Sequence, residues 1–528
     1  MSRQREEYRI PCHDTAFLDP AHPLELSLSC LDYLSPQHTL DVLLFLPIEN
    51  ERHNGSITKL LRTGLRQTLT RFRTLAGAIK TGPDGISTVV IDKSDYISLT
   101  VQQLQDDQDV PVYQDLQEAD FPQHLISPSK LVPELEQHEK HKQSILAVQL
   151  NFFTHGLAIA VAWNRTITDF QAISGFLEDW ARTCSWGWCT SLNGENPFSA
   201  ATSLDTLARE PLRHRTSLPI DSSRSAEVEG ALIQKGVILP TVNYPKCAAA
   251  AGTTTASSSS LAVRHVVWFF SEQMAEELRQ EIGTEVMFGK APTVEIALAA
   301  LVAGGPSLTN LSVFAFTRRL ANNELFLDDG IARAARLLVE TRDLNPLSSS
   351  LSDNTTYPLL HDWVSSHADK PTLSVSRSNC CCCTNFGVAI TSWDSTCPSS
   401  SPNAGFYEEI DFGFSRIDRI RCSRPFPIGR GGGMSGSALF YPRIRYGGAR
   451  GYEVVTTLQS KHMGELLRDE KMRRWAVPRG TPPEKNPQDP PPSPRPSATS
   501  VSPVLLSSCS FCSLPFCFTC PERRGLRS

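Results

Sequence analysis

The chain has 528 residues, 40% hydrophobic and 20% charged, an ordinary globular composition with enough length for two domains. Its formal net charge is −5, so no overall basic field recruits nucleic acid. No apolar run reaches the ~18 residues that a bilayer span needs, and the opening Met1-Ser-Arg-Gln-Arg-Glu-Glu-Tyr8 lacks the apolar core of a secretory signal. A soluble, cytoplasmic protein with neither a membrane nor a nucleic-acid partner is expected.

Residues 24–36 open the readable part of the chain, and the apolar run at 39–47 predicts a buried strand. A helix is expected over residues 56–75. Ile57, Leu60, Leu61, Leu65, Leu69 and Phe72 form its apolar stripe, with Lys59, Arg62, Arg66 and Arg71 on the wet side. Gly82-Pro-Asp-Gly85 signals a turn, and residues 86–91 and 97–101 read as short strands. Residues 144–150 predict a strand that pairs with 156–163, leaving His155 in the turn between them as a solvated histidine.

The stretch from Gly156 carries most of the information. An apolar run of strand length, 156–163, gives way to the polar segment Asn164-Arg-Thr-Ile-Thr-Asp169. Next, Ala172, Ile173, Phe176, Leu177, Trp180 and Ala181 recur at helical spacing, which predicts an amphipathic helix. A buried strand that delivers polar side chains at its end is a rigid base for a reactive group.

Residues 183–260 read as a crossover linker. Its last part, Cys247 to Ser260, is low complexity and lacks the apolar side chains to build a core. A strand is expected at 262–270, followed by a helix capped by Ser271 and running through Leu278, with Glu272 and Glu276 suited to its first turns. Another helix is expected at 293–302, stopped by Gly304-Gly-Pro306, then a strand at 311–316. Later, 453–458 reads as a strand and 462–476 as a helix. From residue 477 the composition turns Pro-rich, then Ser- and Cys-rich, and a disordered tail is expected.

The fifteen cysteines are unevenly placed, four of them consecutive at Cys380 to Cys383. Cys509, Cys512, Cys517 and Cys520 make two close pairs, but the loop between the pairs is far shorter than the ~12 residues of usual zinc sites. Free thiols are the preferred reading, and no metal is expected. Gly429-Arg-Gly-Gly-Gly433 has the glycine content of a phosphate loop but no Lys-Ser/Thr after it. A flexible loop is the first reading, with a contact to a phosphorylated cosubstrate as the alternative.

Two of these segments resemble the signatures of BAHD-type acyltransferases. The first family signature is His-x-x-x-Asp between strand and helix. Asp169 is present here, Arg165 stands at the His position and Phe170 where Gly is usual. The second signature, Asp-Phe-Gly-Trp-Gly, is similar to Asp411-Phe412-Gly413-Phe-Ser415, preceded by the Thr391-Ser-Trp393 strand and followed by the basic run from Arg416 to Arg421. The order of strand, long helix, Leu-Ala-Gly and hairpin near the start resembles the fungal trichothecene 3-O-acetyltransferase-like group. So do Pro111-Val-Tyr-Gln-Asp-Leu116 and Asp120-Phe-Pro-Gln-His124. The likeness covers residues 20–180 well and 385–475 moderately.

The resemblance implies an α/β fold of two chloramphenicol-acetyltransferase-like domains, with mixed sheets, flanking helices and a channel between them. The division would be an N-terminal domain at 1–182, the linker at 183–260, a C-terminal domain at 261–476 and the tail at 477–528. It implies an acyl-CoA-dependent O-acyltransferase, acetyl-CoA being the first cosubstrate to consider. The acceptor would be a hydroxyl on a small secondary metabolite, the protein a monomer, with no metal or redox cofactor bound. In the family the His removes the acceptor proton, the Asp orients that segment, and the Asp of the second signature is structural. Arg165 stays protonated up to pH ~12, so it does not act as a base, but it suits a phosphate or an oxyanion. His265, His361 and His462 carry no motif. The alternatives are a catalytically impaired homologue that still binds CoA or metabolite, and a non-enzymatic interaction protein.

Overall fold

The computed structural model describes residues 5–11, 24–28, 39–189 (except 83–86, 93–94, 106, 108, 140–141 and 169), 263–283, 389–392, 410–423 and 437–479 (except 442–443 and 447–448), with isolated positions between 227 and 336. The first six-stranded sheet has the order β1 (Arg5–Pro11), β6 (Tyr96–Gln103), β9 (Leu146–Phe153), β10 (Gly156–Asn164), β3 (Thr39–Pro47), β13 (Arg419–Arg421). Strands β6 and β9 run parallel, and the other neighbours are antiparallel. β9 and β10 are buried along their whole length, because their apolar residues occupy both faces. The edge strand β13 comes from far downstream, so the first sheet is completed by the C-terminal part of the chain.

The second sheet has the order β12 (Ala389–Ser392), β14 (Ser437–Phe440), β16 (Ala449–Gln459), β11 (Val263–Ser271), β17 (Val477–Arg479), with β15 (Ile444–Tyr446) also on β16. A third sheet orders β2 (Leu24–Ser27), β5 (Ser87–Ile91), β4 (Ala78–Thr81), β8 (Lys142–Ser144) and β7 (Gln137–Glu139). The helices that matter below are α1 (Asn54–Thr68), α2 (Phe170–Cys189), α3 (Glu272–Ile282), α4 (Ser460–Arg468) and α5 (Glu470–Trp475). The architecture is the expected mixed α/β, and Met1–Thr481 pack as one compact unit.

Alternation along β11 shows how the second sheet is used. Val267 and Phe269 join the core that holds β3 and β10, whereas Val266, Trp268 and Phe270 join a second core with α3, α4 and α5. One face of this sheet therefore packs on the N-terminal half and the other is covered by its own helices. Ser271 ends β11 and caps α3, its hydroxyl accepting from the Met274 amide at 3.1 Å.

Several expectations need correction. The helix expected at 56–75 ends at Thr68, with a separate short helix at Arg73–Ala76. Arg71, assigned to the wet side, is only 4% exposed. It leaves the helix to reach α2, where its Nε donates to Asp179 Oδ2 at 2.7 Å and its Nη2 to Thr183 Oγ1 at 3.0 Å. The helix expected at 462–476 is two helices, because Asp469 turns out of α4 and caps α5 through the Met472 amide. Residues 477–479, expected in a disordered tail, are strand β17, paired with Val267–Phe269 of β11. Of the helix at 293–302, the described positions Val294, Ala297, Leu298 and Leu301 are helical, and the last three are buried in the second core. The strand at 311–316, the linker beyond residue 189 apart from residues 227, 228, 230 and 231, Cys380 to Cys383 and the tail beyond residue 479 lie outside the described residues.

A buried ion pair joins the two large sheets. Arg421 of β13 is wholly buried and donates from Nη1 to Glu453 Oε2 of β16 at 2.6 Å and from Nη2 to Oε1 at 3.3 Å. Its remaining donors go to the carbonyls of Phe121, Asp120 and Ile420, at 2.9, 3.0 and 2.8 Å. Asp120 and Phe121 hold positive φ of 62° and 48°, conformations costly for non-glycine residues. Arg419 and Arg479 also reach the Asp120 carboxylate, at 3.5 and 3.4 Å. Glu453→Gln leaves the Arg421 charge buried without its counter-ion. It should cost about 3–5 kcal/mol in a denaturant titration, and a loss below about 1 kcal/mol would contradict this account of the seam.

Candidate active site

Strand β10 ends in a tight turn that presents Arg165. Asn164 organises it: its Oδ1 accepts from the Thr166 amide at 2.9 Å, and its carbonyl accepts from the Ile167 amide at 3.2 Å. Trp163 closes the turn from inside, its indole N–H donating to the Thr168 carbonyl at 3.2 Å. Asn164 thus serves the backbone, and Arg165, half-buried, is the side chain that the turn offers. Asp169 lies outside the described residues. Helix α2 follows, its apolar face packed in the first core through Ile173, Phe176, Leu177, Trp180 and Ala181.

Beside this turn lies a polar clamp that the sequence reading missed. Asp41 stands opposite Ala162 in the β3–β10 register and is buried. Its carboxylate accepts from the Ser423 amide at 2.6 Å and the Ser423 hydroxyl at 2.8 Å. Gln123 donates to the carbonyls of Cys422 and Ser423 at 2.7 and 2.9 Å, and the Cys422 amide donates to the Tyr441 hydroxyl at 3.0 Å. Burial raises the pKa of both the Cys422 thiol and the Tyr441 hydroxyl, so both stay neutral and neither supplies a base. The segment leaving β13 is thereby fixed near the end of β10. A signal for the clamp was present: Asp41 is a carboxylate inside the apolar run at 39–47, and a buried acid needs partners. Gly429 to Gly433, further along, lie outside the described residues.

The second signature docks elsewhere. Phe412 is buried, its ring edge-on to Trp180 of α2 with centroids 5.6 Å apart. Asp411 Oδ1 accepts from the Gly413 amide at 2.7 Å, and its Oδ2 meets Arg416 Nε at 3.3 Å. Gly413 has φ +86°, and a Cβ there would stand 2.8 Å from Ser185 Cα. This turn grips the last turns of α2, about 20 Å from its start at 1.5 Å per residue. The structure thus brings Asp411, Phe412 and Gly413 onto the helix of the first signature, but to its far end rather than to Arg165.

The histidines are dispersed. His155 sits in the β9–β10 turn with φ 60°, roughly 33 Å of strand from Arg165. His462 lies on α4, and His361 is outside the described residues. His265 stands on β11. Among the described residues no helix is long and apolar enough to cross a membrane, and no group of three or more His, Cys, Asp or Glu is arranged to hold a metal ion.

Fold and candidate site together give an inner sheet closed by a strand from the C-terminal part of the chain, with the Arg165 turn at the end of a central strand. A family model described as Transferase family matches residues 16–190, the span that holds the first signature. Among solved structures it is similar to F. graminearum TRI101 complexed with coenzyme A and deoxynivalenol, with 15% identity over 86% of this chain and 99% of that one, and TM-score 0.59. F. sporotrichioides TRI101 complexed with coenzyme A and T-2 gives 15% identity over 86% and 99%, with TM-score 0.57. Vinorine synthase gives 14% identity over 91% and 100%, with TM-score 0.50. No curated protein matches the chain. The structural likeness covers most of the chain and is a likeness of fold.

Gly413→Ala should destabilise the protein by about 1–3 kcal/mol, because it forces a side chain into a left-handed backbone against the α2 backbone. An unchanged denaturation midpoint would contradict the docking of this turn on α2.

Proposed function

We propose that the chain transfers an acyl group from acyl-CoA, acetyl-CoA first among them, to a hydroxyl of a small secondary metabolite. The observation that carries the reading is the strand–turn–helix unit at Trp163 to Thr168, a rigid and largely buried base that offers Arg165 at the position of the family's reactive group. The neighbours TRI101 and vinorine synthase share the fold, and the two TRI101 structures above are complexes with coenzyme A and T-2 or deoxynivalenol.

The reaction joins the acceptor oxygen to the thioester carbonyl carbon, passes through a tetrahedral oxyanion and releases the CoA thiol. Arg165 is a permanent cation and supplies charge to that oxyanion or to a CoA phosphate; it does not take the acceptor proton. Asp169 orients the turn, and Asp411, Phe412 and Gly413 hold α2 in place. The working form is a cytoplasmic monomer of two halves joined by a linker. A second reading, a homologue that binds CoA without turnover, is favoured by one observation: Arg165 stands where the family has its base.

Thermal denaturation with and without acetyl-CoA, and thiol release with a panel of small alcohols, test the proposal. CoA at a hundred times its Kd should add about 2.7 kcal/mol of stability. Arg165→Gln should lower thiol release by about 10²–10³-fold, the cost of losing one oxyanion donor. CoA stabilisation without thiol release would favour the second reading, and no stabilisation by CoA would contradict both.

A further inference from the structure

The face of the second sheet that packs on the N-terminal half is apolar at its centre and polar at one end. Across β14, β16 and β11, the row Leu439, Val455, Val267 is buried in the shared core. Two residues along, the next row in register is Ser437, Thr457, His265. Because side chains alternate across a strand, His265 and Thr457 share the face of Val267 and Val455. His265 is half-buried, and its Nδ1 lies 2.8 Å from Thr457 Oγ1. The other ring nitrogen makes no hydrogen bond with the described residues.

This row lies toward the Arg165 end of the seam. The turn Gln123–Leu125 packs on β11, and the charge on Arg264 contributes to lowering the His124 pKa, after burial. Gln123 of the same turn holds the carbonyls of Cys422 and Ser423, and Ser423 is held by Asp41, opposite Ala162 of β10. Arg165 follows three residues after Ala162. Other charged groups on the neighbouring elements are engaged: Glu453 with Arg421, and Arg479 with Asp120. The carboxylates of Glu453 and Asp120 are therefore neutralised by arginines and not turned to the imidazole. Burial lowers the His265 pKa below the ordinary value of about 6.5, so the ring is neutral at pH 7.

We propose that His265, positioned by Thr457, is the group that accepts the proton of the acceptor hydroxyl, a role that Arg165 is unable to fill. This rests on the acyl-transfer reading above. With Nδ1–H donated to Thr457 Oγ1, Nε2 keeps a free lone pair on the sheet face that packs on the N-terminal half. The acceptor O–H gives its proton to Nε2 as its oxygen bonds to the thioester carbon. When the tetrahedral intermediate collapses, the C–S bond breaks and the same proton passes from Nε2 to the CoA sulfur, which leaves as a thiol. The base is thus supplied from the C-terminal half, and the oxyanion charge from the N-terminal half.

The test is thiol release from acetyl-CoA across pH 5–8 for the wild type, His265→Gln and Thr457→Val, beside diethyl pyrocarbonate labelling of the wild type mapped by mass spectrometry. His265→Gln should lower kcat by about 10²–10⁴-fold with KM for acetyl-CoA little changed. Wild-type kcat/KM should rise with pH through a value below 6.5, and the variant should lose that rise. Thr457→Val, which keeps the shape and removes the hydrogen bond, should lower kcat about tenfold. In the wild type His265 should be labelled, and acetyl-CoA should protect it. Wild-type activity and pH profile retained in His265→Gln would overturn the inference. So would a His265 that is unlabelled or unprotected, a reading that stands even if the variant fails to fold. Acetyl-CoA binding by a wild type that releases no thiol would also overturn it. Absence of CoA binding would instead refute the acyl-transfer reading on which it rests.

Discussion

The seam between the two large sheets depends on a buried guanidinium–carboxylate pair. Arg421 belongs to the edge strand of the first sheet and Glu453 to a central strand of the second, and neither is exposed to water. Burying two charges is costly, and mutual attraction repays that cost only when every donor is satisfied. Here the arginine's remaining donors go to backbone carbonyls, which also fixes the left-handed turn at Asp120 and Phe121. The pair therefore acts on registry: it determines how β13 lies against β16, and so where the chain beyond β13 arrives.

That arrival point is the candidate site. Two residues after Arg421, Ser423 is fixed by Asp41 beside the end of β10, where the turn through Asn164 presents Arg165. A cation at this position changes the division of labour in the acyl transfer proposed above. In that proposal the signature turn supplies charge stabilisation, and proton removal comes from elsewhere. The opposing sheet offers a neutral imidazole on the face that meets the N-terminal half. The second signature takes no direct part in this arrangement. It secures α2 at its far end through Phe412 and Gly413, so the long helix holds the signature turn from behind.

Much of the fold was legible because its signals are local. The run at 39–47, the pair expected at 144–150 and 156–163 and found at 146–153 and 156–164, and the cap of α3 by Ser271 follow from apolar period, length and a capping hydroxyl. The misreadings were tertiary. Periodicity carried the first helix past Thr68, but Arg71 pairs with Asp179, more than a hundred residues away. The last helix looked continuous because Asp469 reads as an ordinary surface acid until its capping role is seen. Strand β17 was hidden because Val477–Arg479 borders a Pro-rich stretch and gains its ladder only from β11. In the site, Arg165 and the two signatures were readable as motifs. The Asp41–Ser423 clamp and the His265–Thr457 pair were not, since each joins residues that only the completed sheets bring together.

Amide hydrogen exchange with and without acetyl-CoA tests the central claim most directly, because it asks where the ligand acts without requiring the acceptor. The account predicts slowed exchange at residues 163–168 and 421–423, with the β9–β10 turn at His155 unchanged. Slowed exchange confined to other segments, or no change at saturating acetyl-CoA, would contradict it.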